Sequence, residues 1–314
     1  MTWIQTLVLA LLQGVTELFP ISSLGHTVLV TALFGWSELQ NSPSFLPFIV
    51  LFHVGTATAL FIYFWQDWVA IIRGFFVTAM AGRIDADPNG RTAWLLVAGT
   101  IPAGLIGLFL QTPLKQLFAN PLVAAAFLTI NGVVLLVGER ARRRALSLDP
   151  VVAGAGARSV ESSARGAGQT AVAAKPTIRA AAPGLTQFET LSWRAAVLIG
   201  LAQALALLPG ISRSGVTMVA ALRVGMRHEE AATYTFLLAT PIIAAAGVLE
   251  IPQLIGSPSS TLVVALVGGI LAGVAAYLST KFLMRYFEKG RLDPFGYYCI
   301  VAGLASLAFF TIRP

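Results

Sequence analysis

Apolar residues run along this chain in long blocks of two kinds. Six blocks continue for about 20 residues, the length a helix needs to cross a bilayer core. They lie at roughly 45–65, 93–111, 120–138, 230–250, 261–280 and 293–311, and the pattern predicts six transmembrane helices there. Two further blocks, 1–35 and 191–225, are interrupted near their middles. The first break reads Phe19-Pro20-Ile21-Ser22-Ser23; the second reads Pro209-Gly210-Ile211-Ser212-Arg213-Ser214-Gly215. The arms on either side are short for spanning, so both regions are expected as re-entrant helical hairpins. Broken backbone at membrane depth is tolerated only where protein or a water-filled cavity surrounds it.

The two broken regions resemble each other. At a constant offset of 190 residues, Leu11/Leu201, Gln13/Gln203, Leu18/Leu208, Ile21/Ile211, Ser22/Ser212, Gly25/Gly215, Thr27/Thr217 and Gly35/Gly225 are identical. Each region is followed by three spanning blocks, an odd number, so the second copy must enter from the opposite side. The expected fold is an all-α polytopic membrane protein: six transmembrane helices and two re-entrant hairpins in an inverted-topology repeat. Residues 1–140 form the first repeat and 187–314 the second. The segment 141–186 between them, rich in Ala, Gly, Ser and Arg without apolar periodicity, reads as a mobile cytoplasmic linker.

Composition agrees. Of 314 residues, 56% are hydrophobic and 11% charged, whereas soluble domains carry roughly 25% charged residues. Mean hydropathy is +0.78. The net charge of +7 would suggest nucleic acid in a soluble protein. Here the basic residues flank apolar blocks, where membrane headgroups explain them, and no nucleic-acid partner is expected. Lys and Arg concentrate in 66–92, 139–229 and 281–292, while the opposite side holds Lys115 and Arg313. The positive-inside rule then places both termini outside. No Lys or Arg precedes residue 73, and Glu17 interrupts the first apolar run, which argues against a cleavable signal peptide. A single cysteine, Cys299, excludes an intramolecular disulfide.

An ionisable residue inside an apolar block costs at least about 2.5 kcal/mol to insert, which makes it a functional candidate. Glu17, His26 and Arg213 stand out. Gln13 and Glu17 are four residues apart and share one helix face. Ser22 and Ser23 sit where an N-cap belongs, with His26 in the following turn. Ser212 and Ser214 flank Arg213, and Thr217 follows. In an inverted repeat the two helix N-termini converge, offering backbone N–H groups, hydroxyls and one guanidinium to an anion such as phosphate. Glu17 beside an anion suggests a bridging cation or a proton-transfer role. His26 is an acid–base group or nucleophile. Blander readings exist: Glu17 simply pairs with Arg213, and the hydroxyls bond backbone carbonyls. His53 is expected in packing or a polar network, His228 at the surface on the basic side, and Glu250 and Arg223 at membrane boundaries, snorkelling.

At these motifs the chain resembles the undecaprenyl-diphosphatase family of bacterial membrane proteins, also called the bacitracin-resistance family. Gln13-Gly14-Val15-Thr16-Glu17 leads into Pro20-Ile21-Ser22-Ser23-Leu24-Gly25-His26, and Pro209-Gly210-Ile211-Ser212-Arg213-Ser214-Gly215-Val216-Thr217 forms the second signature. Gly99-Thr100-Ile101-Pro102-Ala103-Gly104 and Phe236-Leu237-Leu238-Ala239-Thr240-Pro241 extend the likeness over nearly the whole chain. The resemblance implies hydrolysis of a C55 polyprenyl diphosphate, aided by Mg or Ca, in the bacterial plasma membrane with the site open outward. It gives catalytic roles to Glu17, Ser23, His26 and Arg213, and phosphate-binding roles to Gln13, Ser22, Ser212, Ser214 and Thr217, with Glu17 as cation ligand. It leaves a homodimer open. The nucleophile stays open among Ser23, His26 and water. Gln13 lacks a carboxylate that many relatives carry, Leu24 replaces a common Thr, Thr233 a common Glu, and Cys299 a common Arg.

Two rival readings share some of these features. The type 2 phosphatidate phosphatases share Ser-Gly-His and Ser-Arg elements but need a histidine soon after the arginine; here none follows before His228. A polyprenyl-phosphate transporter or flippase is the alternative of a different class, since broken helices at the midplane are typical of transporters.

Overall fold

A computed structural model of the chain describes residues 1–40, 45–117, 120–148, 191–254 and 258–312. Among them it contains helices and no strand. The helices are α1 (Trp3–Thr16), α2 (Ser23–Leu33), α3 (Ser37–Gln40), α4 (Phe45–Tyr63), α5 (Trp65–Ala81), α6 (Pro88–Leu117) and α7 (Pro121–Leu148). After the linker come α8 (Trp193–Ala204), α9 (Arg213–Arg223), α10 (His228–Glu250), α11 (Ser259–Phe287) and α12 (Asp293–Ile312).

Among the described residues six stretches are long and apolar enough to span a membrane: Phe45–Tyr63, Pro88–Leu110, Pro121–Ser147, His228–Leu254, Ser259–Phe287 and Asp293–Ile312. They fall on the six blocks read from the sequence. Their outer faces carry large apolar side chains such as Phe109 (78% exposed) and Val248 (74% exposed), which suit lipid rather than water. The chain is a multi-span membrane protein.

Lipid is as apolar as leucine, so helices in it associate through close contact rather than a hydrophobic drive. Small residues provide that contact. A Cβ added at Gly55 would lie 2.0 Å from the Gly269 carbonyl oxygen, and one at Gly200 would lie 2.1 Å from that of Gly99. These positions bring α4 onto α11 and α8 onto α6.

Each broken block is a pair of short helices. α1 has 14 residues, α8 has 12, and α2 and α9 have 11 each. At 1.5 Å per residue even the longest is about 21 Å, short of a roughly 30 Å hydrocarbon core. The two second arms are built alike. The Ser22 hydroxyl accepts from the Gly25 N–H at 3.2 Å, and the Ser212 hydroxyl from the Gly215 N–H at 3.1 Å. Both helices stop at a glycine of positive φ, Gly35 and Gly225, the residue that ends a helix at least cost.

Several expectations are corrected. The connection 66–92 contains a helix that the sequence reading did not include: α5 occupies Trp65–Ala81, with Phe64 between it and α4, and exposes Trp65, Val69, Phe76 and Met80. Asp67 and Arg73 interrupt its hydropathy, which hides it from a 20-residue window. The boundary drawn at 140 falls inside α7, which continues to Leu148; the rest of the 141–186 segment lies outside the described residues. His228 is buried rather than at the surface, because Nε2 meets the Glu139 carboxylate at 2.7 Å. Glu250 is also buried rather than snorkelling, and accepts from Gln253 Nε2 at 2.7 Å. Arg223 is exposed at the end of α9.

Candidate active site

The two breaks meet. A Cβ added at Gly25 would come within 2.8 Å of Gly210 Cα, so only glycine allows this approach. Ser214 Oγ donates to the Phe19 carbonyl at 3.1 Å. Asn131 of α7 stands between the breaks: its Nδ2 donates to the Pro20 carbonyl at 3.0 Å, and its Oδ1 accepts from the Ser212 N–H at 2.9 Å. Cys299 of α12 packs against the same amide, with Sγ 3.4 Å from Nδ2. Asn131 is eight residues before Glu139, about 12 Å along the helix at 1.5 Å per residue. The junction therefore lies well inside the span.

The turns that produce the breaks differ. Ser22 has φ +69°, the one positive value at a non-glycine among the described residues. In the second break the positive φ falls on Gly210, at +104°. Pro20 occupies the position equivalent to Gly210, and its ring holds φ near −65°, so the left-handed residue shifts to Ser22. Such a conformation costs about 1–3 kcal/mol and persists where surroundings enforce it, often at functional sites.

Glu17, at the end of α1, is the hub. Its carboxylate accepts from Gln13 Nε2 at 3.0 Å and from the hydroxyl of Ser23. Arg213 Nη2 pairs with it from the other break. His53 of α4 places Nε2 at 3.2 Å from Glu17 Oε2 and Nδ1 at 2.8 Å from the Ile49 carbonyl. Gln13, Glu17, Ser23 and His26 are all buried. The Arg213 side chain is 16% exposed, and its Nη1 is buried with no acceptor. The plain pairing of Glu17 with Arg213 is thus present and uses one nitrogen of the fork. The other is a charged donor in want of an acceptor, and an unmet buried donor costs about 1–3 kcal/mol.

The remaining expected residues occupy the two helix starts. Ser22 and Ser212 are N-caps, and Ser212 Oγ also lies 3.0 Å from Ser214 Oγ. The Thr217 hydroxyl donates to the Arg213 carbonyl at 2.6 Å, which ties it to its own helix. The His26 Nδ1 lies 2.7 Å from the Ser22 carbonyl and Nε2 lies 2.8 Å from the Tyr298 hydroxyl. Ser23 therefore bonds Glu17, and both ring nitrogens of His26 are engaged elsewhere.

Among the described residues no three His, Cys, Asp or Glu form a metal cage. Gln13 Oε1 is buried without a donor, beside the Glu17 carboxylate. One carboxylate and one amide oxygen fit a hard cation that takes its other ligands from phosphate and water, the usual habit of Mg²⁺.

Asn131, Tyr298 and His53 also touch these residues. The first two had no signal in the sequence, being single polar residues inside apolar blocks. His53, expected in packing or a polar network, sits against the hub carboxylate itself.

Fold and site together define a class: a multi-span membrane protein whose two broken apolar blocks meet at a buried polar cluster around Glu17 and Arg213. The chain belongs to the family described as bacitracin resistance protein BacA, which matches residues 6–305. It is similar to undecaprenyl-diphosphatase 2 of Frankia alni, 44% identical over 99% of both chains. It is likewise similar to undecaprenyl-diphosphatase 1 of Burkholderia pseudomallei, 45% identical over 96% of this chain and 95% of that one. The undecaprenyl-diphosphatase of Mycolicibacterium paratuberculosis is 45% identical over 100% of this chain and 99% of its own.

Proposed function

We propose that this protein hydrolyses undecaprenyl diphosphate to undecaprenyl phosphate and inorganic phosphate, recycling the lipid carrier of cell-wall synthesis and giving bacitracin resistance. Family membership and the relatives' names support the activity. The observation that carries the chemistry is Arg213: it joins the second break to Glu17 of the first and keeps one buried donor without an acceptor.

The terminal phosphate lies between the starts of α2 and α9, where backbone N–H groups and helix dipoles favour an anion. Arg213 Nη1 takes a phosphate oxygen while Nη2 holds Glu17. Ser23 Oγ attacks the terminal phosphorus. A serine–phosphorus bond forms as the anhydride bond breaks, undecaprenyl phosphate leaves, and the hydroxyl proton passes to Glu17. The water that attacks the phosphoserine displaces the Tyr298 hydroxyl from His26 Nε2 and gives that nitrogen a proton, which His26 releases to solvent once phosphate has left. The serine oxygen recovers its proton from Glu17 as phosphate departs. Phosphoryl transfer asks mainly for positioning and charge stabilisation, which this arrangement supplies. Glu17 and Gln13 Oε1 would hold a Mg or Ca ion, which neutralises phosphate charge when bound.

Packing of the arms supports an inverted repeat of re-entrant hairpins. α1, from the first half, packs on α11 of the second through Gly14, whose added Cβ would lie 2.6 Å from that of Ala275. α8, from the second half, packs on α6 of the first through Gly200. The Lys and Arg distribution supports a plasma-membrane orientation with the site open to the outside.

The test is phosphate release from undecaprenyl diphosphate by the purified protein in detergent, with Mg²⁺, with Ca²⁺ and with EDTA. Release that depends on the cation is expected. A lipid carrier hydrolyses nothing, so a folded protein that binds the lipid and releases no phosphate would overturn the enzyme in favour of a transporter.

A further inference from the structure

His26 carries two nitrogens with different partners. The Ser22 carbonyl can only accept, so Nδ1 at 2.7 Å bears the proton. In the neutral ring Nε2 is then an acceptor, and the Tyr298 hydroxyl at 2.8 Å donates to it. The two rings also lie nearly parallel, 5.7 Å apart at 9°. Tyr298 belongs to α12, 272 residues away in the chain, and is 46% exposed. Its neighbour Cys299 is fully buried against Asn131. The backbone holding Tyr298 is thus anchored at the junction of the two breaks, while its ring borders the open side of His26.

We propose that Tyr298 is a positioning residue for His26. Through one hydrogen bond and one ring face it fixes the orientation of the imidazole, whose Nδ1–H the Ser22 carbonyl sets, and so holds Nε2 where it takes a proton once the attacking water replaces the hydroxyl. The proposal rests on the diphosphatase reading, because it assigns Tyr298 to that reaction. Ser22 alone holds His26 by a single bond, about which the ring can turn. The strained φ of Ser22 aims its carbonyl, so His26 is oriented from both sides by parts of the fold that meet only at this site.

The test is a cycle of four proteins: wild type, Tyr298→Phe, His26→Ala and the double variant, each with kcat and KM for phosphate release in detergent. Phenylalanine keeps the ring and removes the hydroxyl at a half-exposed position, so the fold is retained. Tyr298→Phe is expected to lower kcat about tenfold, well inside the ~10²–10⁴-fold that a positioned acid or base supplies, with KM within about twofold. In the His26→Ala background the same change is expected to do nothing, because there is no imidazole left to orient. A structural role would lower activity by the same factor in both backgrounds, and that result overturns the proposal. So does an unchanged kcat in Tyr298→Phe. A wild type that releases no phosphate overturns the diphosphatase reading, and the proposal with it, whereas an active wild type with additive losses overturns the proposal alone.

Discussion

At the residue scale the site is a contest for one carboxylate. Glu17 accepts from Gln13, Ser23 and Arg213 and lies beside His53, a set that only an acceptor-rich anion can satisfy. Glu17→Gln keeps the shape but removes the charge that takes the Ser23 proton. It is expected to lower kcat by at least about 10²-fold, the low end for a positioned base, in a steady-state phosphate-release assay. Arg213→Lys keeps the charge and loses the fork that reaches two partners at once. A loss of about 10²–10³-fold is expected, comparable to removing one donor from a transition-state anion site, with retained fluorescence-monitored thermal stability. These residues were legible in the sequence because a charge in an apolar block is costly and so conspicuous. Asn131 and Tyr298 were not, because a neutral amide or phenol in a spanning helix has many uses and spacing does not distinguish them. The partner of Ser23 was equally hidden. The turn at Ser22 directs the hydroxyl back to Glu17, six residues earlier in the chain.

At the scale of elements, the proposed activity depends on two broken helices touching. Gly25 packs on the backbone of Gly210, so Gly25→Ala must push the breaks apart. It is expected to lower kcat by at least about tenfold, since small misplacements of reacting groups are costly. Gly35→Ala is the contrast. An added methyl there meets no atom within 4 Å, and φ is +67°. It is expected to cost about 1 kcal/mol of stability through the left-handed conformation and leave kcat unchanged. Comparing kcat and melting curves of the two variants checks both statements. The 190-residue offset matched Ser22 with Ser212 and Gly35 with Gly225, and the structure makes the serines N-caps and sets the glycines just past the helix ends, because capping is a local property of adjacent residues. It did not foretell α5, where Trp65–Ala81 follows the kink after Tyr63, since nothing local marks where one apolar helix ends and the next begins.

At the scale of the whole molecule, the halves are also tied away from the site. Glu139 of α7 bonds His228 of α10 at 2.7 Å and the Leu292 N–H, just before α12, at 3.3 Å. Arg143 adds an ion pair to Asp293 at 3.2 Å. Glu139→Ala leaves a buried imidazole and an N–H without a partner. It is expected to lower the melting temperature in detergent markedly, as loss of one partner from a buried pair costs about 3–5 kcal/mol, while the folded fraction keeps its kcat. The central claim is that residues 196 apart in the chain act in a single phosphoryl-transfer site. The most direct measurement is kcat/KM for phosphate release by wild type, Glu17→Gln, Arg213→Ala and the double variant. Groups that serve one transition state lose their effects together, so a single site predicts a double variant little slower than the slower single variant. Losses that multiply would mean that the two breaks act independently, and would contradict it.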